Sequence, residues 1–467
     1  MTDSLLTRWL VAGRVKKIFL LATSALVFAV AQPVSAETLV EALSEAYESN
    51  PDLASAREQL KSRNEEVPQA LSNWRPTVSL SGSTGKQIYN SSLSSSDGSY
   101  NNSTPTSGSI AVSQPLYRGG RTVAQVEEAE FQVEAERARL RASEQQVLLN
   151  GVLAFMNVWR DESVLQLNIN NEQVLQRQLE ASQDRFQVGE ITRTDVAQSE
   201  SRLAGATADR ISSEGILESS RAVYLEVIGN EPKDLQAPIP LEGLPSSQDE
   251  AISQAASNNP AVLAAEFDER ASEKAIRLVE GELYPSVALQ GSFARNLNST
   301  VSGTQTNQGS VLASVSIPVY QKGAVYSRAR QAKYNNNQQR LVRISVDRQI
   351  EQETVTAWEA LLTAKAQIRS FESQVSAATI ALDGVTQENQ VGSRTVLDVL
   401  NAEQELLDAK VSLVRAQRDE IVAGFQLLSA VGRLSAEELA LAVDVYQPSV
   451  DYDKTRNKWF GLSINDE

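Results

Sequence analysis

Two short segments, FQVGEITRTDV at 186–196 and NQVGSRTVLDV at 389–399, are versions of one motif placed 203 residues apart. Each contains a Val-Gly pair, Val188-Gly189 or Val391-Gly392, and an aspartate that follows after five intervening residues. Proline is absent for tens of residues on both sides of each motif. Because glycine adopts the positive φ of a tight reversal, each motif predicts a turn between two long helices.

The helices on either side of these turns are predicted at 121–188 and 194–228, and again at 325–391 and 395–431. At 1.5 Å per residue, the first would be about 100 Å long. Average helices have 11–12 residues, so these lengths exclude an ordinary globular domain. A coiled-coil-like seam at 4, 3, 4 spacing supports lateral helix packing and comprises Leu148, Val152, Phe155 and Trp159.

The motif belongs to a larger internal repeat. SNPDLASAREQ at 49–59 resembles NNPAVLAAEFD at 258–268, and SQPLYRGG at 113–120 resembles SIPVYQKG at 316–323. Asn50-Pro51 and Asn259-Pro260 are helix-start signals in the two copies. We predict a signal peptide at 1–36, a first repeat at 37–232, a linker at 233–248, a second repeat at 249–435 and a C-terminal tail at 436–467.

Each copy contains a predicted β-hairpin, at 76–117 and at 285–320, with polar loops at 91–109 and 298–309. Val78 and Leu80 alternate with Ser79 and Ser81, which predicts strands with one apolar and one small polar face. Strands of about ten residues can cross a bilayer at a tilt. Four strands cannot close a barrel, so the chain must form oligomers or bury its hairpins against protein. A soluble β-layer is the alternative.

Composition excludes several functional classes. The chain has no cysteine and no histidine, which excludes disulfides, Cys/His zinc sites and Ser-His-Asp triads. We expect no metal and no cofactor. A formal net charge of −16 argues against nucleic-acid binding.

The first 36 residues have the pattern of a secretory signal peptide. Basic Arg14, Lys16 and Lys17 precede an apolar stretch at 18–31, and small residues follow before Glu37. An N-terminal membrane anchor is the alternative, although the apolar run is shorter than the approximately 20 residues that a span needs. The chain is therefore expected to be exported, and without a cysteine the cleavage site carries no lipid anchor.

In these repeated segments the chain resembles the TolC family of outer-membrane efflux proteins. The resemblance extends to about Arg433 and implies a mainly α fold with β, in which a long-helix α-barrel continues into a transmembrane β-barrel shared between the subunits of a homotrimer. It implies a non-enzymatic exit duct for type I protein secretion or multidrug efflux, located in the bacterial outer membrane and extending into the periplasm. The implied partners are outer-membrane lipid, a periplasmic adaptor (membrane fusion protein) and an inner-membrane ABC or proton-driven pump.

The resemblance also assigns a periplasmic gate to the turns. Asp398 corresponds to the first aspartate of the family's constriction ring, and Asn401 replaces the second, so the ring would carry half the charge. Arg394 corresponds to an arginine that locks the closed state by bonding to groups at Thr194 and Asp195. Asn389 replaces a tyrosine of this network, which implies a weaker or differently arranged lock. The adaptor would contact two Val-Gly pairs, Val188-Gly189 and Val391-Gly392.

Simpler explanations exist for each of these residues. Asp195 and Asp398 could be ordinary acidic residues at helix starts, where the helix dipole favours negative charge. Gly189 and Gly392 could be turn glycines alone.

Two other functional classes were weighed against the channel. A periplasmic coiled-coil adaptor would need one helical hairpin and compact β-domains, whereas this chain has two equivalent units. An enzyme with paired carboxylates, such as a glycoside hydrolase, would need a cleft that no segment predicts.

Overall fold

The computed structural model of this 467-residue chain describes residues 37–89, 101–237, 239, 241, 243–299 and 303–464. The predicted signal peptide at 1–36 and most of the loop at 91–109 lie outside them. The helices are α1 (Leu39–Ser49), α2 (Pro51–Asn64), α3 (Glu66–Ser72), α4 (Arg121–Gln187), α5 (Arg193–Ile228), α6 (Gln248–Asn258), α7 (Pro260–Glu280), α8 (Ala324–Gln390), α9 (Val396–Ala430) and α10 (Pro448–Arg456). The strands are β1 (Thr77–Thr84), β2 (Gln87–Tyr89), β3 (Asn101–Ser103), β4 (Thr106–Arg118), β5 (Ser286–Leu297) and β6 (Gln305–Ser316).

Four long helices dominate the molecule, as the sequence predicts. Helices α4 and α8 have 67 residues each, while α5 has 36 and α9 has 35. A 67-residue α-helix is about 100 Å long. In the part of the chain that the structure describes, no helix combines the length and the apolar character that a membrane span requires.

The shorter helices differ from the expected pattern. The predicted helix that starts at Pro51 is divided into α2 and α3 at Glu65, whereas its counterpart α7 is continuous. Pro68 lacks the N–H that would bond to the Asn64 carbonyl, and its ring crowds that carbonyl, which explains the break. Helices α1, α6 and α10 were not predicted. They are short: α1 packs on α4 and α6 packs on α8, whereas α10 lies in the tail, packs against α2 and α3, and contains no buried residue.

Asn50 and Asn259 serve the two copies in the same way. The Asn50 side chain accepts the N–H groups of Asp52 and Leu53 and so caps α2. Its amide also donates to the Val227 carbonyl at 3.1 Å. Asn259 caps α7 and donates to the Ala430 carbonyl at 2.9 Å. Each asparagine therefore starts one helix and satisfies a carbonyl at the end of another.

The main core lies where α1, α2, α4, α5 and α9 meet, beside the start of the tail. The predicted seam on α4 is part of it, since Leu148, Val152 and Phe155 are fully buried. Tyr224 of α5 is also buried, and its hydroxyl donates to a Glu37 carboxylate oxygen at 2.7 Å. Burial first, and then this bond, raise the pKa of Tyr224 far above its usual value. The tail joins this core through Ala436 and Leu441, which are buried.

The main β-sheet has the order β1-β4-β5-β6, and every pair is antiparallel. The registers place most large apolar side chains of the four strands on one face, among them Val78, Leu80, Val112, Phe293 and Val311. Leu312, which lies opposite Gln290, is on the other face. Serine pairs occupy the other face, and their hydroxyls bond across strands at 2.8 Å, as in Ser81–Ser109, Ser83–Ser107 and Ser292–Ser310. The sheet therefore has two chemically different faces, as the alternation predicts.

The strands extend further than the sequence predicts. Strand β4 begins at Thr106 and β6 at Gln305, inside the segments assigned to polar loops. Hydroxyl bonds such as Thr84–Thr106, at 3.0 Å, hold this part of the hairpin without apolar alternation. The sequence did not predict the separate two-stranded sheet that β2 and β3 form in the first hairpin.

Candidate functional site

The two turns that join α4 to α5 and α8 to α9, residues 188–192 and 391–395, are called the tip turns here. Gly189 and Gly392 both have φ of +80°. In the first turn, the Gly189 N–H donates to the Phe186 carbonyl at 3.0 Å and the Glu190 N–H donates to the Arg185 carbonyl at 2.9 Å. The second turn repeats both bonds from Gly392 and the next residue. These are Schellman motifs, which explain why both turns contain glycine.

The aspartates of both motifs form capping boxes at the starts of α5 and α9. The Thr192 N–H donates to Asp195 Oδ2 at 2.9 Å, and the Asp195 N–H donates to the Thr192 hydroxyl at 3.3 Å. Thr395 and Asp398 make the same pair of bonds, at 2.9 and 3.2 Å. Helix termination and initiation therefore account for the whole repeated pattern. A helix-starting role is thus observed for both aspartates, and a gating role remains a prediction.

Hydrogen bonds keep both carboxylates ionised. Bonds from the Thr192 side chain and backbone lower the pKa of Asp195. The Thr395 backbone bond, followed by its side-chain bond, lowers the pKa of Asp398. Both groups already titrate far below neutral pH, so each tip turn carries a fixed negative charge at pH 7.

Arg394 contacts its own turn. Its Nε donates to Glu388 Oε2 at 2.8 Å, and its backbone carbonyl accepts from the Asn389 amide at 2.9 Å. Asn389 is nearly buried, whereas Thr194 is exposed at the start of α5. The expected bonds from Arg394 to Thr194 and Asp195 are thus not formed within one chain, and a bond between chains stays a prediction.

Two hydrogen bonds join the two helical hairpins near the tip turns. Arg185 Nη1 donates to Asn389 Oδ1 at 3.4 Å, and Arg202 Nη2 donates to Asn401 Oδ1 at 2.8 Å. A small apolar cluster lies alongside and contains Leu175, Ala206, Val396 and Leu400. The structure therefore brings Asn389 and Asn401 into one bridging network, while Asp195 and Asp398 remain in their separate caps.

Sequence reasoning missed Arg185, Arg202 and Glu388. A signal was present, because at the 203-residue offset Arg185 aligns with Glu388 and Arg202 aligns with Glu405. Both turns have the same geometry, so a position whose charge is reversed between the two copies is not required by that geometry.

The tips of both turns expose apolar side chains. Val188 is 72% exposed and Val391 is 81% exposed, and Phe186 beside the first turn is also exposed. Exposed apolar side chains are a feature of interaction surfaces, and the expected contact with an adaptor stays a prediction. Among the described residues, no cluster of acidic side chains has an arrangement that could hold a metal ion.

Comparison with known proteins agrees with this architecture. The family model described as "Outer membrane efflux protein" matches residues 42–223 and 251–433, well over half of the chain. The outer membrane efflux protein BepC of Brucella suis is 35% identical over 438 residues, which cover 93% of this chain and 94% of that protein. The outer membrane protein TolC of Vibrio cholerae is 27% identical over 438 residues, covering 91% of this chain and 97% of that protein.

A solved structure shows the same fold. The Campylobacter jejuni CmeC outer membrane channel superposes with a TM-score of 0.77 and 14% identity, over 90% of this chain and 89% of that one. The family model matches the chain twice, and the relatives and the solved structure each align with about nine-tenths of it. All of these matches include the helical hairpins and the sheet described above. The chain therefore belongs to the outer membrane efflux protein family.

Proposed function

We propose that three copies of this chain form a tunnel that is the outer-membrane exit duct for type I protein secretion or multidrug efflux. The observation that carries the proposal is the open sheet, which has one apolar face, one hydroxyl-lined face, and β1 and β6 as its edge strands. The apolar face suits lipid and the serine-rich face suits a water-filled lumen. The role involves no chemical reaction.

Oligomerisation follows from the edges of this sheet. An edge strand in lipid would leave backbone N–H and C=O groups without partners, at several kcal/mol for each group. Pairing β6 of one copy with β1 of the next removes both edges. The family resemblance supplies the number of copies, three, and hence twelve strands around one barrel. The long helices then extend from the barrel as an α-barrel of about 100 Å across the periplasm.

The tip turns form the periplasmic entrance in this arrangement. Symmetry brings three Asp398 carboxylates around a narrow opening, where their shared negative charge attracts cations. Asn401 contributes no charge and accepts from Arg202, so its role is to hold the two hairpins together. Arg394 must leave Glu388 in order to reach Thr194 and Asp195 of a neighbouring copy.

Opening is driven from outside the chain. A periplasmic adaptor contacts the exposed Val188-Gly189 and Val391-Gly392 pairs and competes for the polar links that hold the tips inward. An inner-membrane pump, either an ABC or a proton-driven transporter, delivers the cargo. The tunnel itself supplies a wide aqueous path.

Single-channel current from the purified mature protein in a planar lipid bilayer tests the proposal. We expect small, stable, cation-selective steps. Arg394→Ala should raise the conductance, and Asp398→Ala should reduce cation selectivity. Absence of current from folded, helical protein would refute the tunnel and favour an adaptor without a pore. Unchanged currents in both variants would refute the gate assignment and leave the tunnel intact.

A further inference from the structure

The C-terminal segment runs along the first repeat toward the base of the sheet. Arg456 at the end of α10 forms an ion pair with Glu130 of α4 at 2.9 Å. Beyond it, Arg75 Nη1 donates to the Lys458 carbonyl at 2.8 Å, and the Arg75 guanidinium lies 4.6 Å from the centre of the Trp459 ring. Since Arg75 lies two residues before β1, these contacts hold Trp459 at the junction between helices and sheet.

Residues 459–464, called the apolar tail here, project their large side chains into the surroundings. Phe460 is 91% exposed, Leu462 102% and Ile464 95%. The segment is nevertheless held in place, because Lys458 Nζ donates to the Ser463 carbonyl at 2.9 Å. An ordered backbone with fully exposed apolar side chains calls for an apolar environment outside this chain.

The base of the sheet carries four other exposed aromatic side chains, called the junction aromatics. Trp74 precedes β1, Tyr117 lies near the end of β4, Tyr284 precedes β5 and Tyr320 follows β6. Because neighbouring strands are antiparallel, these four positions lie at the same end of the sheet. Rings of Trp and Tyr mark the level at which a membrane protein passes from hydrocarbon to water. Trp459 lies at this level through its contact with Arg75.

We propose that the apolar tail is a membrane anchor that inserts into the periplasmic-side interface of the outer membrane. This inference rests on the proposed function, because the sheet must be in lipid for its base to lie at the interface. In this arrangement Trp459 lies among the junction aromatics. The side chains of Phe460, Leu462 and Ile464 enter the acyl region. Lys458 and Arg75 face the phosphate groups of the lipids. The C-terminus of each copy thereby fixes the height of the α-barrel relative to the bilayer.

A second copy of the chain is the other possible occupant of this surface. Lipid is favoured by position, because Trp459, the first residue of the segment, lies against Arg75, which directly follows the junction aromatic Trp74. Basic groups beside aromatic and aliphatic side chains are also the composition typical of interfacial anchors.

Single cysteine variants can test the anchor cleanly, because the chain contains no cysteine. Leu462→Cys in the full mature chain is labelled with a nitroxide and reconstituted in phospholipid vesicles. Its collisions with oxygen, which concentrates in lipid, are compared with its collisions with a water-soluble nickel chelate. Leu80→Cys on the apolar face and Ser81→Cys on the polar face are the matched controls.

We expect the label at 462 to resemble the label at 80, with raised oxygen and lowered nickel accessibility relative to the label at 81. High nickel accessibility at 462 would overturn the anchor while the label at 80 still reports lipid. Shielding of 462 from both reagents would also overturn it, since a neighbouring chain would then cover the tail. A label at 80 that is open to nickel would overturn the proposed function itself.

Discussion

Thr395 and Asp398 allow the helix-starting role of the tip aspartate to be separated from its proposed role in a pore. Thr395→Ala removes the hydroxyl that accepts the Asp398 N–H at 3.2 Å but leaves the carboxylate charge. Asp398→Asn removes the charge but keeps an oxygen that can accept the Thr395 N–H, now bonded at 2.9 Å. Loss of a threonine N-cap typically costs about 1 kcal/mol. We therefore expect Thr395→Ala to raise the population of the frayed first turn of α9 about fivefold.

Two measurements distinguish the roles. Amide hydrogen exchange at 398–400, where the first protected N–H groups of α9 lie, should become about fivefold faster in Thr395→Ala and change little in Asp398→Asn. The reversal potential of single channels under a salt gradient should do the opposite, with cation selectivity retained in Thr395→Ala and reduced in Asp398→Asn. Thr192→Ala is the matched control, because Thr192 and Asp195 form the same capping box at the start of α5. It should accelerate exchange at α5 without changing selectivity.

Similar reversal potentials in the two variants of α9 would contradict separate roles for the cap and the charge. Equal loss of selectivity in Thr395→Ala and Asp398→Asn would mean that the fold of the turn, and not its charge, controls the pore. Full selectivity in Asp398→Asn would reduce Asp398 to a helix-capping residue.

Two further predictions concern stability and pH. Gly432→Ala should lower the free energy of unfolding by roughly 2 kcal/mol, because Gly432 has φ of +80° and an added Cβ would lie 2.4 Å from the Asn258 carbonyl oxygen. Thermal unfolding in detergent checks this prediction. Gly384 has open space around it within α8, so the control Gly384→Ala should leave the unfolding temperature nearly unchanged. Because hydrogen bonds from Thr395 lower the pKa of Asp398 below its ordinary value of 3.8, its charge and its stabilising cap are fully present above that value and disappear as pH falls through the lowered pKa. In the proposed trimer, repulsion between the three Asp398 carboxylates opposes this lowering of the pKa. Reversal potentials should therefore show full cation selectivity at pH 7 that declines on acidification as Asp398 is protonated. Selectivity that does not change on acidification would contradict the assignment.

The long helices and the two-faced strands could be predicted because periodic patterns and the repeat register constrain them. The helix ends were accurate to one residue, since α4 ends at Gln187 and α8 at Gln390, each directly before a Val-Gly pair. Helix α1 was missed although its start carries a capping box between Thr38 and Glu41. Its buried residues follow the i, i+3, i+4, i+7, i+8 spacing of an amphipathic helix, so the sequence contained the signal in a segment of only 11 residues: Leu39, Ala42, Leu43, Ala46 and Tyr47.

The contacts of the candidate site were less accessible to sequence reasoning. The bonds Arg185–Asn389 and Arg202–Asn401 join residues about 200 positions apart, and lateral packing of the two hairpins decides which side chains meet. Pattern analysis identifies a turn from neighbouring residues, whereas a bond between two turns depends on the rotation of each helix about its axis. Arg394 is a different case, because its partner Glu388 lies only six residues before it, at the end of α8.

Comparing the two copies shows which tip residues are free to control the entrance. Residues that the turn requires are identical in both copies, because each copy must end one helix and start the next: Gly189 with Gly392, Thr192 with Thr395, and Asp195 with Asp398. Most bridging residues differ between copies: Arg185, Arg202 and Asn389 align with Glu388, Glu405 and Phe186, whereas Asn401 aligns with the similar Gln198. If the two tip turns were identical in all their residues, the hairpins α4–α5 and α8–α9 could not play different roles in the proposed tunnel. Any difference in role between Asp195 and Asp398 in the proposed trimer must therefore come from these unrepeated neighbours.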